Sequence, residues 1–206
     1  MDKDEYANLL AELYQKLLSA GLPRVNSKFG HGELSPLDVF VNGGVLSTPY
    51  ADILLEYAPR LNKSDRVWLA RAFTVKGLKK AVPYLLSLFN EFDKEEDFWA
   101  VGNALYVIDD KASYPSILSI CKEVRYGSSR QMLMGTLARM KTREAYEVLL
   151  ASLNDKSVRG HAIEAIGKFG DTTAIPILQA LEVEKGQYEY KAKNTALRRL
   201  DRQLNN

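Results

Sequence analysis

The side chains that could do chemistry are few. In 206 residues Cys121 is the only cysteine, and His31 and His161 are the only histidines. A nucleophile needs a base within hydrogen-bond reach, and a metal needs several ligands at short spacing. Cys121, His31 and His161 meet neither condition, so no catalytic residue, no metal site and no cofactor is expected. One cysteine also excludes an intramolecular disulfide and a cysteine-built zinc site. Flanked by Ile117, Leu118 and Ile120, Cys121 reads as a buried structural thiol. Tyr106, Asp109 and Asp110 form the other polar group, but Asp110 stands where a helix cap belongs. The enzyme question stays open on these residues, with nothing proposing an activity.

The elements that would position any site are clearest in Asp155–Leu181. Val158, Ala162, Ile163, Ile166 and Phe169 recur at three- and four-residue steps, the stripe of an amphipathic helix. Gly167 and Gly170 weaken and end it, and Asp171 can cap a second helix with Ile175, Leu178 and Leu181 facing in. Pro176 falls in that helix's first turn, where a missing amide hydrogen costs least. Such short helices do not survive alone in water, so each must pack on a neighbour.

Copies of this stretch lie upstream. Ala81–Leu86, Ser113–Leu118, Ala145–Leu150 and Ala174–Gln179 superpose without gaps on anchors Pro83, Pro115, Glu147 and Pro176, spaced 32, 32 and 29 residues apart. Eleven residues before each anchor stand Ala72, Ala104, Thr136 and Ala165, and ten before stand Phe73, Leu105, Leu137 and Ile166. A small residue followed by a large apolar one, four times in register, marks a repeat protein.

Val158-Arg159, Ala162, Ala165-Ile166-Gly167, Gly170-Asp171 and Ala174-Ile175-Pro176 resemble the consensus of short HEAT-like repeats, the variety also found in phycobilisome lyases. The resemblance is strongest over 155–181, weaker over 65–153 and weakest before 50. It implies an all-α fold, an α-solenoid of helical hairpins in a right-handed stack with second helices lining a concave face. It implies binding, most often of protein, and also suggests internal Asp/Arg ladders.

In chain order, residues 1–20 are read as an N-terminal capping helix, with Tyr6, Leu9, Leu10, Leu13, Tyr14, Leu17 and Leu18 on one stripe, stopped by Gly21 and Pro23. Residues 21–48 form an irregular segment holding five of the thirteen glycines, with Phe29-Gly30-His31-Gly32-Glu33 its oddest piece and Ser35-Pro36 able to start a short helix. A functional loop and a slack connection are both open readings of it. Residues 49–184 carry a degenerate repeat opened by Thr48-Pro49, then fuller repeats at about 64–92, 96–126, 128–154 and 155–184. Residues 185–206 form a last helix with Ala192, Ala196, Leu197 and Leu200 inward, and the whole is taken as one domain. That last stretch carries six Lys/Arg against two Asp/Glu, yet Arg198, Arg199 and Arg202 sit where they offset a helix dipole.

Apolar content of 46% and charged content of 26% are those of an ordinary soluble domain, and a net charge of +2 points to neither nucleic acid nor membrane. No apolar run reaches eighteen residues and the acidic start MDKDEY is no signal peptide, so a soluble, cytoplasmic protein is expected, and the resemblance to short HEAT-like repeat proteins suggests a bacterial one.

The aligned columns turn sequence into surface. Two and five residues after the anchors the side chains are mostly apolar and core-like. Four after stand Ser87, Ser119, Ala151 and Ala180, all small, a floor that admits a neighbouring hairpin or a partner. Tyr84, one after its anchor, could rise above that floor as an anchor residue. Eight after stand Glu91, Glu123, Asp155 and Glu184, all acidic; seventeen before stand Arg66, Phe98, Arg130 and Arg159. The acids form either a rail for a basic partner or a structural ladder with the arginines, in which Asp155 and Arg159 could pair directly. Glu91–Asp97 is read as a solvated acidic loop and Trp99 as a packing residue. The expected contact residues on the concave face are Tyr84, Ser87, Glu91, Ser116, Ser119, Glu123 and Glu184.

Three classes of function follow. The first is a noncatalytic scaffold or adaptor binding a protein or peptide, suited to a basic one, in an assembly or toxin-neutralising role; self-association through either end is a variant of it. The second rests on resemblance to bacterial alkylpurine DNA glycosylases, which share HEAT-like repeats. Here Asn103, one turn after Trp99, offers no carboxylate, and the acidic column would repel phosphate. The third, a lyase-type enzyme, rests on resemblance alone.

Overall fold

Asp2 opens α1 (Lys3–Ser19) with a reciprocal cap. Its carboxylate accepts the amides of Asp4 and Glu5, and the Glu5 carboxylate accepts the Asp2 amide, worth about 1 kcal/mol. Leu9, Leu13 and Leu17 form the buried stripe, and Gly21 at φ +94° turns the chain away at the far end. The computed structural model describes residues 2–28, 30, 32–91 and 95–205, with 95–98 described by their backbone only.

The segment after α1 is packed. Asn26 and Glu33 form an antiparallel bridge, and Leu22 and Leu34 are buried on either side of it. Pro36, pre-set for a helix start, begins α2 (Pro36–Val41), which buries Leu37, Val39 and Phe40. The fully buried Ser47 donates to the Ala72 carbonyl at 2.6 Å. The slack-connection reading of 21–48 therefore gives way: α2 packs on the later helix of residues 63–72, in the place of a first helix, and α3 (Ala51–Tyr57) follows it in the chain. Phe29 and His31 lie outside the described residues.

The hairpins then follow as the columns require: α4 (Lys63–Ala72) with α5 (Val82–Leu88), α6 (Glu95–Ile108) with α7 (Tyr114–Lys122), α8 (Gln131–Met140) with α9 (Arg143–Ala151), and α10 (Arg159–Phe169) with α11 (Ala174–Ala180), closed by α12 (Tyr188–Leu204). Helices α2, α4, α6, α8, α10 and α12 pack on one another in sequence as one layer; α5, α7, α9 and α11 each lie against the next first helix. This is an all-α solenoid of stacked helical hairpins, with α1 on α3 at its start.

The register comes from the columns. Phe73, Leu105, Leu137 and Ile166 are all buried to 1% exposure or less, as are Leu85, Ile117, Leu149 and Leu178 two residues past the anchors. The first helices end at equivalent points in left-handed residues. Gly170 takes φ +89° freely, while Asp109 and Lys141 take φ near +55° at a cost of about 1 kcal/mol each. Asp171 is not the α11 cap itself: its carboxylate accepts the Thr173 amide and hydroxyl, fixing the turn that leads into the helix.

Glycines set the spacing of the first-helix layer. A Cβ on Gly102 of α6 would strike the Ser129 carbonyl oxygen, and one on Gly167 of α10 would lie 2.7 Å from the Ala196 backbone of α12. Gly135 of α8 makes room for the Tyr106 ring, which would sit 2.6 Å from an added methyl.

Candidate interaction surface

With positions two and five past each anchor committed to the core, the geometry of a helix turns the anchor and the fourth position outward. Pro83 and Ser87, Pro115 and Ser119, Glu147 and Ala151, and Pro176 and Ala180 are all exposed. Ser116 is exposed beside them, and Ile177 on α11 is 42% exposed. The small residues therefore face solvent rather than a neighbouring hairpin. Two of the serines are locally satisfied, Ser87 donating to the Tyr84 carbonyl at 2.8 Å and Ser119 to the Pro115 carbonyl at 3.1 Å.

Tyr84 does not rise above this stripe. It is half-buried, its ring edge-on to Phe73 at 6.2 Å, and its hydroxyl is buried without a hydrogen-bond partner among the described residues. Burial pushes the ionisation of that hydroxyl well above the usual tyrosine range.

The acidic column divides. Arg66 donates to Glu91, and Arg130 donates to Asp155, in each case across the 25 residues that separate the start of a hairpin from its end. Asp155 does not pair with the Arg159 side chain. It sits ahead of α10, where its carboxylate also accepts the Ser157 amide at 2.9 Å and hydroxyl at 2.7 Å. Burial opposes its ionisation, but the Ser157 and Arg130 hydrogen bonds outweigh that and hold the carboxyl below its usual value. Glu123 has only its neighbour Arg125, at 3.7 Å, and Glu184 is exposed.

Each arginine also ties off the helix behind it. Arg66 donates to the carbonyls of Leu61 and Pro59, Arg130 to those of Cys121 and Gly127, and Arg159 to that of Leu153. Carbonyls at helix ends lack intrahelical donors, and a guanidinium satisfies them while opposing the dipole. The arginines are thus structural in two directions, and Arg159 takes its ionic partner from Glu189 of α12 at 3.7 Å.

The hollows lie elsewhere. A depression of about 170 Å³ crosses the first-helix layer, walled by Tyr106 and Tyr188 with Gly135, His161, Glu164 and Lys168 between them. Burial lowers the His161 pKa, and the ring lies 5.3 Å from that of Tyr188. Glu184 lines a second hollow with Lys156, Arg159, Glu182 and Glu189. A third, of about 410 Å³, opens between α1, α2 and α4. Sequence reading missed it; Trp68, in the middle of α4, was its one signal.

The remaining candidates fall apart spatially or into the core. Cys121 is 1% exposed and its thiol is pushed up to about 12 by burial, against a small opposing influence of Arg130. Trp99 is 37% exposed, so it stands at the surface rather than packed inside. Asp110 accepts the Ala112 amide as a cap and pairs with Lys79 at 3.3 Å. Of Glu91–Asp97, only Glu91 lies among the residues described with side chains. Among the described residues no group of histidine, cysteine and carboxylate side chains could hold a metal ion, and no helix is long and apolar enough to cross a membrane.

Residues 125–192 match the family model of HEAT repeats. That stretch takes in α8 to α11 and the start of α12. No curated protein and no solved structure matches the chain. The repeats from α8 onward are thus HEAT-like in sequence, within an all-α repeat solenoid.

Proposed function

We propose that the chain is a noncatalytic interaction module that binds a protein or peptide on its concave face, along the exposed side of its second helices. One observation carries the reading: an exposed stripe of prolines and small residues, with Glu147 in the anchor place on α9, runs over α5, α7, α9 and α11, while most of the large apolar side chains of those helices are spent on the core. Small residues in register let a partner's backbone approach, and solenoids present such faces over long distances. Ser87, Ser116 and Ser119 are the floor of the proposed contact, and Glu123 and Glu184, outside the Arg66 and Arg130 pairings, are its charged rim. Tyr84 and Glu91 lend support from beneath, through Phe73 and Arg66.

The test is affinity capture from the native cell with nuclease present, at low and high salt. A stoichiometric protein that is retained by the wild type and lost from Ser87→Trp/Ser119→Trp supports the reading. Recovery of nucleic acid alone, only when nuclease is omitted, overturns it.

A further inference from the structure

The cleft between α1, α2 and α4 is the most enclosed apolar hollow described above, and the repeat surface does not use it. Leu13 and Leu37 are its buried floor, and Leu10, Tyr14, Pro36 and Trp68 are its half-buried walls. Its volume of about 410 Å³ lies in the range of sites that enclose a small ligand or a single large side chain. Two carboxylates, Asp38 and Asp65, complete the lining, and among the described residues no lysine, arginine or histidine is part of it. Their hydrogen-bond partners are neutral: Asp65 accepts the Tyr6 hydroxyl, and Asp38 accepts the Asn42 amide at 2.5 Å. Neither is in an ion pair with a described residue. Arg71 lies 5.9 Å from the Trp68 ring and is not part of the lining.

An apolar floor, an indole wall and two carboxylates without a cation describe what would fill the space. The occupant needs an aliphatic stem to lie on Leu10 and Leu13, and a delocalised or compact cation to meet Asp38, Asp65 and the face of Trp68. We propose that this cleft binds an arginine or lysine side chain of a partner peptide. Arginine is the better fit, because its planar head both stacks on an indole and donates to two carboxylates. The proposal rests on the interaction reading above and adds to it a recognition subsite at the opposite end from α12.

The chain has two tryptophans, so Trp99→Phe leaves Trp68 as the sole reporter. In that background, Trp68 emission is titrated with the peptide acetyl-Ala-Leu-Arg-Leu-Ala-amide and with its citrulline counterpart, which keeps the shape and removes the charge. The expected result is saturable change with the arginine peptide and an affinity about tenfold weaker with citrulline, the loss of one charge-assisted hydrogen bond. Asp38→Asn should weaken the arginine peptide by a similar factor. Ala11→Leu, at an exposed helix position on the rim, should block binding while the circular dichroism stays that of the parent. Equal affinity for the two peptides, no response at about 1 mM, or undiminished binding to Ala11→Leu overturns the proposal. If Trp68 stays unmoved while the second-helix stripe still captures its protein, the cleft falls and the interaction module stands; a bound peptide without any captured protein gives the reverse.

Discussion

Replacing Asp155 by Asn isolates the most deeply set ion pair described here. The Arg130 side chain is 3% exposed and that of Asp155 is 21% exposed. Removing one member of a buried pair leaves the other charged and uncompensated, typically a loss of 3–5 kcal/mol. Two features place this case at the low end. Arg130 keeps the Cys121 and Gly127 carbonyls, at 3.1 and 3.2 Å, and an asparagine can still accept from Ser157. The expected loss is about 3 kcal/mol, or about 6–12 °C in Tm for a chain of this length. Urea unfolding followed by circular dichroism reads it, and combining Asp155→Asn with Arg130→Met should cost less than the two single changes added. The pH dependence carries its own sign. The folded carboxyl titrates below its unfolded value of 3.8, so its stabilisation is complete above that value and disappears as pH falls through the lower, folded one. Asp155→Asn should therefore flatten the acid limb of the stability profile below about pH 4. A loss under about 0.5 kcal/mol, the range of ordinary surface changes, would refute the argument that Asp155 compensates a buried guanidinium.

Other changes have definite directions. Thr136→Val should raise stability by about 1 kcal/mol in urea unfolding, because the Thr136 hydroxyl is fully buried without a partner among the described residues and valine keeps the shape. Gly102→Ala should lower stability by about 2 kcal/mol or more, since the added methyl meets the Ser129 backbone rather than a movable side chain, whereas Gly135→Ala should cost less because the Tyr106 ring can shift. Cys121 should resist a thiol-exchange reagent at pH 8 until the chain unfolds, being buried and protonated up to about pH 12; prompt modification of native protein would contradict its placement.

The repeat register was legible because two residues per hairpin, such as Ala104 and Leu105, recur at fixed distance from an outward proline and are spent on the same contact each time. In 21–47 the helix start at Ser35-Pro36 was legible but the packing was not, because Leu34, Phe40 and Ser47 are buried by neighbours that share no period with them. The surface was legible in part. Exposure of Ser87, Ser116 and Ser119 follows from helix geometry once the core face is known. Tyr84 misled because a tyrosine one residue off the anchor can turn either way, and Phe73 decides it. The Asp155–Arg159 expectation applied a helix-neighbour rule to a residue that precedes its helix. The true partner stands 25 residues back, and that interval also separates Arg66 from Glu91, a recurrence present in the sequence but meaningful only once the hairpins are stacked.

The separation of the two helix layers has a bearing on how such a chain can change. The glycines and arginines that hold one hairpin against the next lie on first helices and at their starts, whereas positions 87, 116, 119, 151 and 180 touch solvent. Substitutions at exposed helix sites usually move stability by no more than about 0.5 kcal/mol. The exposed face can therefore be rewritten, residue by residue, on a frame that does not register the edits, so that a new partner can be acquired without first stabilising the fold.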